Sequence, residues 1–143
     1  MENCAWDVAS ATREAVAHSF LQPLERAIPM VATEDIGRLA AKLLQNERSS
    51  AGVVELEGPQ RVSPNDIADA FAQVVGRPVR AQAVPIESWQ PLFEAQGMHH
   101  PMPRIQMLQG FNAGWLDFEG SRESIVIGTT PLIEVIRKLI SKA

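Results

Sequence analysis

Few side chains in this sequence could perform chemistry by themselves. The chain has one cysteine, Cys4, and three histidines, of which His99 and His100 are adjacent. Neighbouring histidines do not share one face of a helix, and no glutamate stands at H-E-x-x-H spacing, so no metal site is predicted. His18 precedes Ser19 but has no adjacent acidic residue. Because triad members meet only in the folded protein, the sequence leaves a hydrolytic triad open.

Cys4 and Asp35 each admit two interpretations. A cysteine near the start of a helix can have a lowered pKa and react as a thiolate, whereas a buried thiol is unreactive. We expect Cys4 to be the buried kind. Asp35 stands in the first turn of a predicted helix, where its carboxylate faces unpaired N–H groups. This position accounts for Asp35 without a catalytic role.

The sequence lacks the residues of a conventional dinucleotide site. It contains no tyrosine, so no Tyr-x-x-x-Lys pair can donate a proton. Its nine glycines form neither G-x-G-x-x-G nor G-x-x-G-x-x-G, and no G-x-x-x-x-G-K-[ST] phosphate loop occurs. They stand at positions 37, 52, 58, 76, 97, 110, 114, 120 and 128. We therefore expect no cofactor in this chain.

Composition and charge exclude several classes of protein. With 143 residues, 45% hydrophobic and 21% charged, the chain fits a single globular domain over residues 1–143. Its net charge of −4 argues against nucleic acid or an anionic membrane as the main partner. No apolar run approaches the roughly 20 residues needed to cross a bilayer, and no secretory signal is readable. A single cysteine excludes an internal disulfide, so we expect a reducing, cytoplasmic location.

The best-defined local pattern is the segment 27–37, AIPMVATEDIG, with the helix that follows it. Residues 28–31 form a short apolar run that predicts a strand or extended segment. Thr33 is a good N-cap, and Glu34 and Asp35 place carboxylates at the positive end of the helix dipole. Apolar residues then recur at helical spacing, which predicts a face buried against a core. They are Ile36, Leu39, Ala40, Leu43 and Leu44.

Other segments alternate between predicted helices and short extended pieces. Ser63, Pro64 and Asp66 form a complete helix start, and Gly76 followed by Pro78 ends that helix. Further helices are predicted over residues 1–17, 88–97, 104–118 and from 130 onward, extended segments over 53–56, 79–85 and 124–127, and a polar loop over 46–52. The sequence therefore predicts an α/β (α+β) domain with a small few-stranded sheet and four to five helices.

Aromatic and methionine side chains concentrate between residues 89 and 118. Such a surface can line a concave pocket for an apolar small molecule, but it can equally form core or a face covered by a partner. The candidates for ligand binding in this segment are Trp89, Phe93, Met107, Phe111 and Trp115.

A series of short motifs resembles the NmrA-like branch of the atypical short-chain dehydrogenase/reductase family. Each motif alone is weak evidence for the family, but their order along the chain is specific. They are Met1-Glu2-Asn3, Pro29-Met30-Val31-Ala32-Thr33 with Asp35-Ile36-Gly37, Glu55-Leu56 with Gly58-Pro59, Ser63 with Asp66-Ile67-Ala68, Val75-Gly76-Arg77-Pro78-Val79 and Thr130-Pro131. The resemblance runs along nearly the whole chain, and it is to the carboxy-terminal, substrate-side half of the family.

This resemblance implies that a Rossmann nucleotide-binding half, which binds NAD(P) in full-length relatives, would precede residue 1. It also implies that Asn3 lies near the cleft between the cofactor and substrate domains, so Asn3 is a sixth candidate for ligand binding. The family's cofactor residues have no counterparts in this sequence, and its activity is therefore not carried over.

Three functions follow as expectations. The first is a non-catalytic module that binds a small molecule or has a regulatory role. The second is a fragment of a quinone-reductase-like, NAD(P)H-dependent oxidoreductase that is active only with a separate nucleotide-binding half. The third is a protein-interaction module. In each case the face that a Rossmann half would cover must be buried, and we expect a homodimer to bury it.

Overall fold

The computed structural model describes residues 1–45, 52–121 and 123–143. Within these ranges the chain forms six α-helices, two 3-10 helices and four short strands. The helices are α1 (Val8–Arg13), α2 (Thr33–Leu44), α3 (Pro64–Val75), α4 (Trp89–Ala95), α5 (Met102–Ala113) and α6 (Leu132–Ile140). The strands are β1 (Val16–Ser19), β2 (Leu56–Glu57), β3 (Arg80–Ala83) and β4 (Val126–Ile127), and the 3-10 helices span Glu2–Asp7 and Ile86–Ser88.

The strands form two separate sheets of two parallel strands each. In the first sheet β1 pairs with β3, from Val16 opposite Arg80 to Ser19 opposite Ala83. In the second, the two residues of β2 pair with the two of β4. Parallel neighbours require a crossover connection, and α2, β2 and α3 lie between β1 and β3. The α/β class is confirmed, and the number of α-helices in the described residues is six, where four to five were expected.

Helix α3 follows the local rules that its sequence predicts. The Ser63 hydroxyl accepts the N–H of Asp66 at 3.2 Å, and the Asp66 carboxylate accepts the N–H of Ser63 at 2.8 Å. Pro64 occupies the first turn, where a missing N–H costs nothing, and Gly76 ends the helix with a φ of 75°. The predicted capping box and left-handed stop are confirmed.

The described residues pack into two hydrophobic clusters. The larger one joins α1, α3 and α6 to β1, with Phe71, Val62 and Ile136 fully buried. The predicted inward face of α6 is confirmed, since Leu132, Val135 and Ile136 are buried and Leu139 and Ile140 are half-buried. A smaller cluster forms where α4 packs on α5. None of the helices described is both long and apolar enough to cross a membrane.

The predicted helix over residues 1–17 is wrong in its second half. A 3-10 helix precedes α1, which ends at Arg13, and the chain then reverses through Ala15, whose φ is +60°. This reversal lets Val16 and Ala17 enter the first sheet, where both are buried. Helical periodicity over a short segment cannot anticipate a strand partner located more than 60 residues later.

Other boundaries shift for local reasons. The predicted helix 104–118 is α5, which ends at Ala113 because Gly114 adopts a φ of 80°. The N–H of Trp115 then bonds to the carbonyl of Gly110, and that of Gly114 to the carbonyl of Phe111, which is a Schellman motif. Of the extended segments, 28–31 keeps one bridge between Ile28 and Val62, and 53–56 shrinks to the two-residue β2. Most of the predicted loop 46–52 lies outside the described residues.

The capping box of α3 yields a first prediction. Ser63→Ala removes the hydroxyl that accepts the N–H of Asp66, and we expect the free energy of unfolding to fall by about 1 kcal/mol. Urea unfolding followed by circular dichroism measures the change. Ser121→Ala, a change of the same type at an exposed position, is the control. Equal stability of the two variants would contradict the role of the cap.

Candidate functional site

The most unusual surface of this protein lies on α2. The apolar stripe that the sequence predicts is present, but the prediction that it is buried against the core is wrong, because three of its five residues are exposed and the other two, Leu39 and Leu43, are only half-buried. Asp35 is the only buried residue of the helix, while Ile36 is 46% exposed and Leu44 is 88% exposed. Within the described part of the chain, α2 makes no extensive contact with another helix or strand. We call Ile36, Ala40 and Leu44, which are all exposed, the α2 apolar face.

The Asp35 carboxylate attaches this helix to the rest of the protein. One carboxylate oxygen accepts the main-chain N–H groups of Thr129 and Thr130, at 3.0 and 2.9 Å, and the other accepts the Thr130 hydroxyl at 3.1 Å. These donors lie in the segment that leads from β4 into α6. Asp35 therefore accepts hydrogen bonds from the backbone of a distant segment. Its position in the first turn of the helix does not predict this role.

Close packing at Gly128 makes this contact possible. A Cβ atom at this position would stand 2.6 Å from an oxygen of Asp35, so only glycine leaves room for the carboxylate. The Arg38 guanidinium also donates to Asp35, at 3.0 Å. Burial opposes ionisation of the carboxyl group, but the hydrogen bonds from Thr130, together with Arg38, outweigh burial and lower the pKa of Asp35.

The start of α2 is capped from outside the helix. The N-cap position belongs to Ala32 and not to Thr33 as predicted, and alanine has no side-chain acceptor. The Glu2 carboxylate supplies it instead, since both of its oxygens lie 3.1 Å from the N–H of Thr33. Lys138 of α6 donates to Glu34 at 2.8 Å, and this bond lowers the pKa of Glu34. Nothing in the local sequence points to Glu2, which lies 31 residues away.

A cavity of about 250 Å³ adjoins this end of α2. Its charged lining includes Glu2, Glu34 and Lys138. Glu2 is already bonded to Thr33, and Glu34 is already bonded to Lys138. These polar groups contribute to the attachment of α2, and a ligand here would have to compete with their existing partners.

The second sheet shares the exposed apolar character of α2. Val126 and Ile127 of β4 are each at least one-third exposed, and so is Val54, which precedes β2. Ile127 directly precedes Gly128, the residue that lies against the first turn of α2. Parallel sheets are normally covered on both faces. Within the described residues, this two-stranded parallel sheet leaves apolar side chains uncovered.

The structure separates the predicted ligand-binding residues. Trp89 and Phe93 are fully buried in the α4–α5 cluster, where both rings contact Phe20. The Trp89 indole donates to the carbonyl of Val84 at 2.9 Å, and the Arg104 guanidinium lies 4.6 Å from the centre of the Phe93 ring. These two aromatics therefore have the surroundings of core residues.

The remaining candidates lie elsewhere. Met107 and Trp115 are exposed, Phe111 is half-buried, and Asn3 is exposed on the first 3-10 helix. The Trp115 ring lies against Gly110, where an added Cβ would be 2.9 Å from the ring. This contact is the apolar packing that accompanies a Schellman motif. The prediction of a shared ligand site for all six residues stays a prediction.

Some of the residues that could perform chemistry take part in structural contacts. Asp7 accepts the main-chain N–H of His18 at 2.9 Å, and the Ser19 hydroxyl is engaged with the backbone of Leu21. His99 and His100 are exposed. A search over the described ranges finds no group of three or more His, Cys, Asp or Glu residues placed to hold a metal ion.

Cys4 has the environment of a structural thiol. It is buried in the larger hydrophobic cluster, and this burial raises the pKa of Cys4 to about 11. At neutral pH only about one molecule in ten thousand would carry the thiolate.

Comparison with known proteins gives one match. A family model described as the NmrA-like family matches residues 7–115 of the chain. The matched range begins before α1 and ends just after α5, so it includes α2 and the α4–α5 cluster but not β4 and α6. No curated protein matches the chain.

The attachment of α2 yields a second prediction. Asp35→Asn removes the charge from a buried acceptor of several hydrogen bonds, and we expect the free energy of unfolding to fall by about 2 kcal/mol. The charge-matched control is Asp69→Asn on the exposed side of α3, which should change stability by less than about 0.5 kcal/mol. Urea unfolding measures both variants. Equal effects would show that Asp35 does not anchor the helix.

The pKa of Asp35 predicts how this difference depends on pH. Because folding lowers the pKa of Asp35, its ionised form stabilises the protein fully above the unfolded pKa of about 4. This contribution is lost as the pH falls through the folded pKa. The stability gap between wild type and Asp35→Asn should therefore shrink below about pH 4, and unfolding curves between pH 7 and pH 3 test this. A gap that is independent of pH would contradict the assignment.

The buried thiol yields a third prediction. Iodoacetamide should modify Cys4 very slowly in the native protein at pH 7.5 and rapidly in denaturing urea, because the native thiol is both covered and protonated. Mass spectrometry of timed samples measures the two rates. Rapid modification of the folded protein would support the reactive interpretation of Cys4 instead.

Proposed function

Because the chain belongs to the NmrA-like family, we propose that it is a non-catalytic regulatory module that acts by associating with another protein through the α2 apolar face. The observation that carries this proposal is the exposure of α2, a helix of 12 residues with a single buried side chain. The exposed apolar residues of the second sheet support it, since they adjoin the start of the same helix.

The energetics of an isolated helix support an interface at this place. Helices shorter than about 12–15 residues are marginal in water, and most helical stability in proteins comes from packing of an apolar face. Here the polar attachments at Asp35 and Glu34 secure only the first turn. A partner that covers Ile36 and Leu44 would supply the packing that the rest of the helix lacks.

We propose a second copy of the chain as the partner. The first turn of α2 carries Glu34, and the last turn carries Lys42. Two copies of the helix packed antiparallel about a two-fold axis would place each basic end beside the acidic end of its partner. The helix is only about 18 Å long, so exposed residues of the second sheet must contribute to reach a stable interface area.

A separate nucleotide-binding half is the alternative occupant of this face. It corresponds to the expectation that the chain is a fragment of an NAD(P)H-dependent oxidoreductase, and the open second sheet favours it because parallel strands could continue there. The small-molecule function, based on Asn3 and the 89–118 segment, is a further expectation. Calorimetric titration with NADPH and NADH tests the enzyme alternative, since tight binding by the isolated chain would reopen it.

The proposed association gives a fourth prediction. In sedimentation velocity, the wild-type chain should form a dimer at micromolar to tens of micromolar concentration. Ile36→Asp should weaken the dimer at least tenfold, because it places a charge within the apolar contact. A clean monomer over this whole range would exclude the homodimer.

Ile86→Asp is the matched control for this experiment. Ile86 is 49% exposed, close to the 46% of Ile36, but it lies in the second 3-10 helix and outside the α2 apolar face. Its variant should sediment like the wild type. Equal loss of the dimer in both variants would place the interface elsewhere.

A further inference from the structure

The segment between β2 and α3 presents a guanidinium group in an ordered orientation. The Nε of Arg61 donates to Glu57 at 3.2 Å, and the Glu57 side chain is almost fully buried. Glu57 thus holds one edge of the guanidinium group, and the two terminal nitrogens are directed together toward one partner. That partner is Asp117, whose two oxygens lie 2.6 and 2.8 Å from Nη1 and Nη2.

The parallel arrangement of these two bonds is the way that arginine recognises a planar carboxylate. Arg61 and Asp117 lie at the edge of a cavity of about 330 Å³. Phe118 and Ile125 supply its apolar lining, and Gly120 lies beside them. A volume of this size is at the lower end of known ligand pockets. We call the two terminal nitrogens of Arg61 the fork. The cavity therefore combines this carboxylate-binding fork with apolar walls that suit a ring or a short aliphatic group.

The present occupant of the fork is partly open to solvent. The Asp117 side chain is 41% exposed, and it lies on the segment that joins α5 to β4. Its two bonds to Arg61 and the Phe118 N–H that it accepts hold it in place, so a ligand binds there only in competition with Asp117. A carboxylate from a ligand can replace that of Asp117 with the same geometry, while the apolar part of the ligand enters the cavity.

The surrounding charges restrict the class of ligand. Glu57 remains beside Arg61, and the Glu55 carboxylate lies close by, where it accepts the N–H groups of Glu119 and Gly120. The carboxylates of Glu55 and Glu57 more than offset the charge of the guanidinium, so the site repels a dianion more strongly than a monoanion. A monocarboxylate therefore suits the site, whereas a phosphate dianion does not.

We propose that Arg61 and this cavity bind a small monocarboxylate with an apolar body, and that Asp117 occupies the fork as an internal substitute when no ligand is bound. The site shares no residue with the α2 apolar face, and its test uses none of the variants that test the proposed association.

Benzoate is a suitable probe, with benzamide as the neutral molecule of the same shape. By calorimetry, Asp117→Asn should bind benzoate at least tenfold more tightly than the wild type, because the internal competitor has lost its charge. Glu119→Gln is the matched control: it removes one carboxylate from the same segment, but only the main-chain N–H of Glu119 takes part in the contacts described above. If the two variants bound benzoate equally tightly, the gain in affinity would come only from the lost negative charge, and the proposal would be overturned.

Two further measurements complete the test. Arg61→Lys in the Asp117→Asn background should weaken benzoate binding at least tenfold, since lysine cannot form the bidentate contact. In the wild type, NMR signals of the Arg61 guanidinium and the Phe118 ring should shift with benzoate and not with benzamide. Unshifted signals at saturating benzoate, or equal binding of benzamide or inorganic phosphate, would also overturn the proposal, even if a variant failed to fold.

Discussion

The Asp35 carboxylate is the interaction on which this structure most depends. It joins α2 to the segment between β4 and α6. Position 128 in that segment is a glycine, and a larger residue there would collide with the carboxylate. Without this contact, α2 would keep its ion pair with Lys138 and the cap from Glu2, both at its first turn. The exposed apolar surface of the protein is thus presented by a helix that is held at one end.

Several other acidic side chains accept main-chain N–H groups, as Asp35 does. Glu2 accepts an N–H at the start of α2, Glu55 accepts two in the segment before β4, and Asp66 accepts one at the cap of α3. Hydrogen bonds from main-chain N–H groups to an ionised carboxylate are charge-assisted, and they are stronger than those to a neutral acceptor.

Local patterns predicted the elements whose determinants lie within a few residues. The capping box at Ser63 and the left-handed stop at Gly76 depend on neighbours along the chain, so their geometry could be predicted from the sequence. The inward face of α6 was predicted for the same reason. The strand at Val16 is missed because its partner is β3, far along the chain. The end of α5 is misplaced because helical spacing does not reveal that Gly114 adopts a left-handed conformation.

The sequence by itself determined the α/β class, the caps of α3, the amphipathic stripe of α2 and the resemblance to the family whose model matches residues 7–115. Only the tertiary structure decided which way that stripe faces, because burial depends on the surface opposite and not on periodicity. It also decided that Trp89 and Phe93 are core, and that Asp35 binds backbone groups 94 and 95 residues away. Contacts at such separations leave no trace in local spacing, since the chain between them can take many paths.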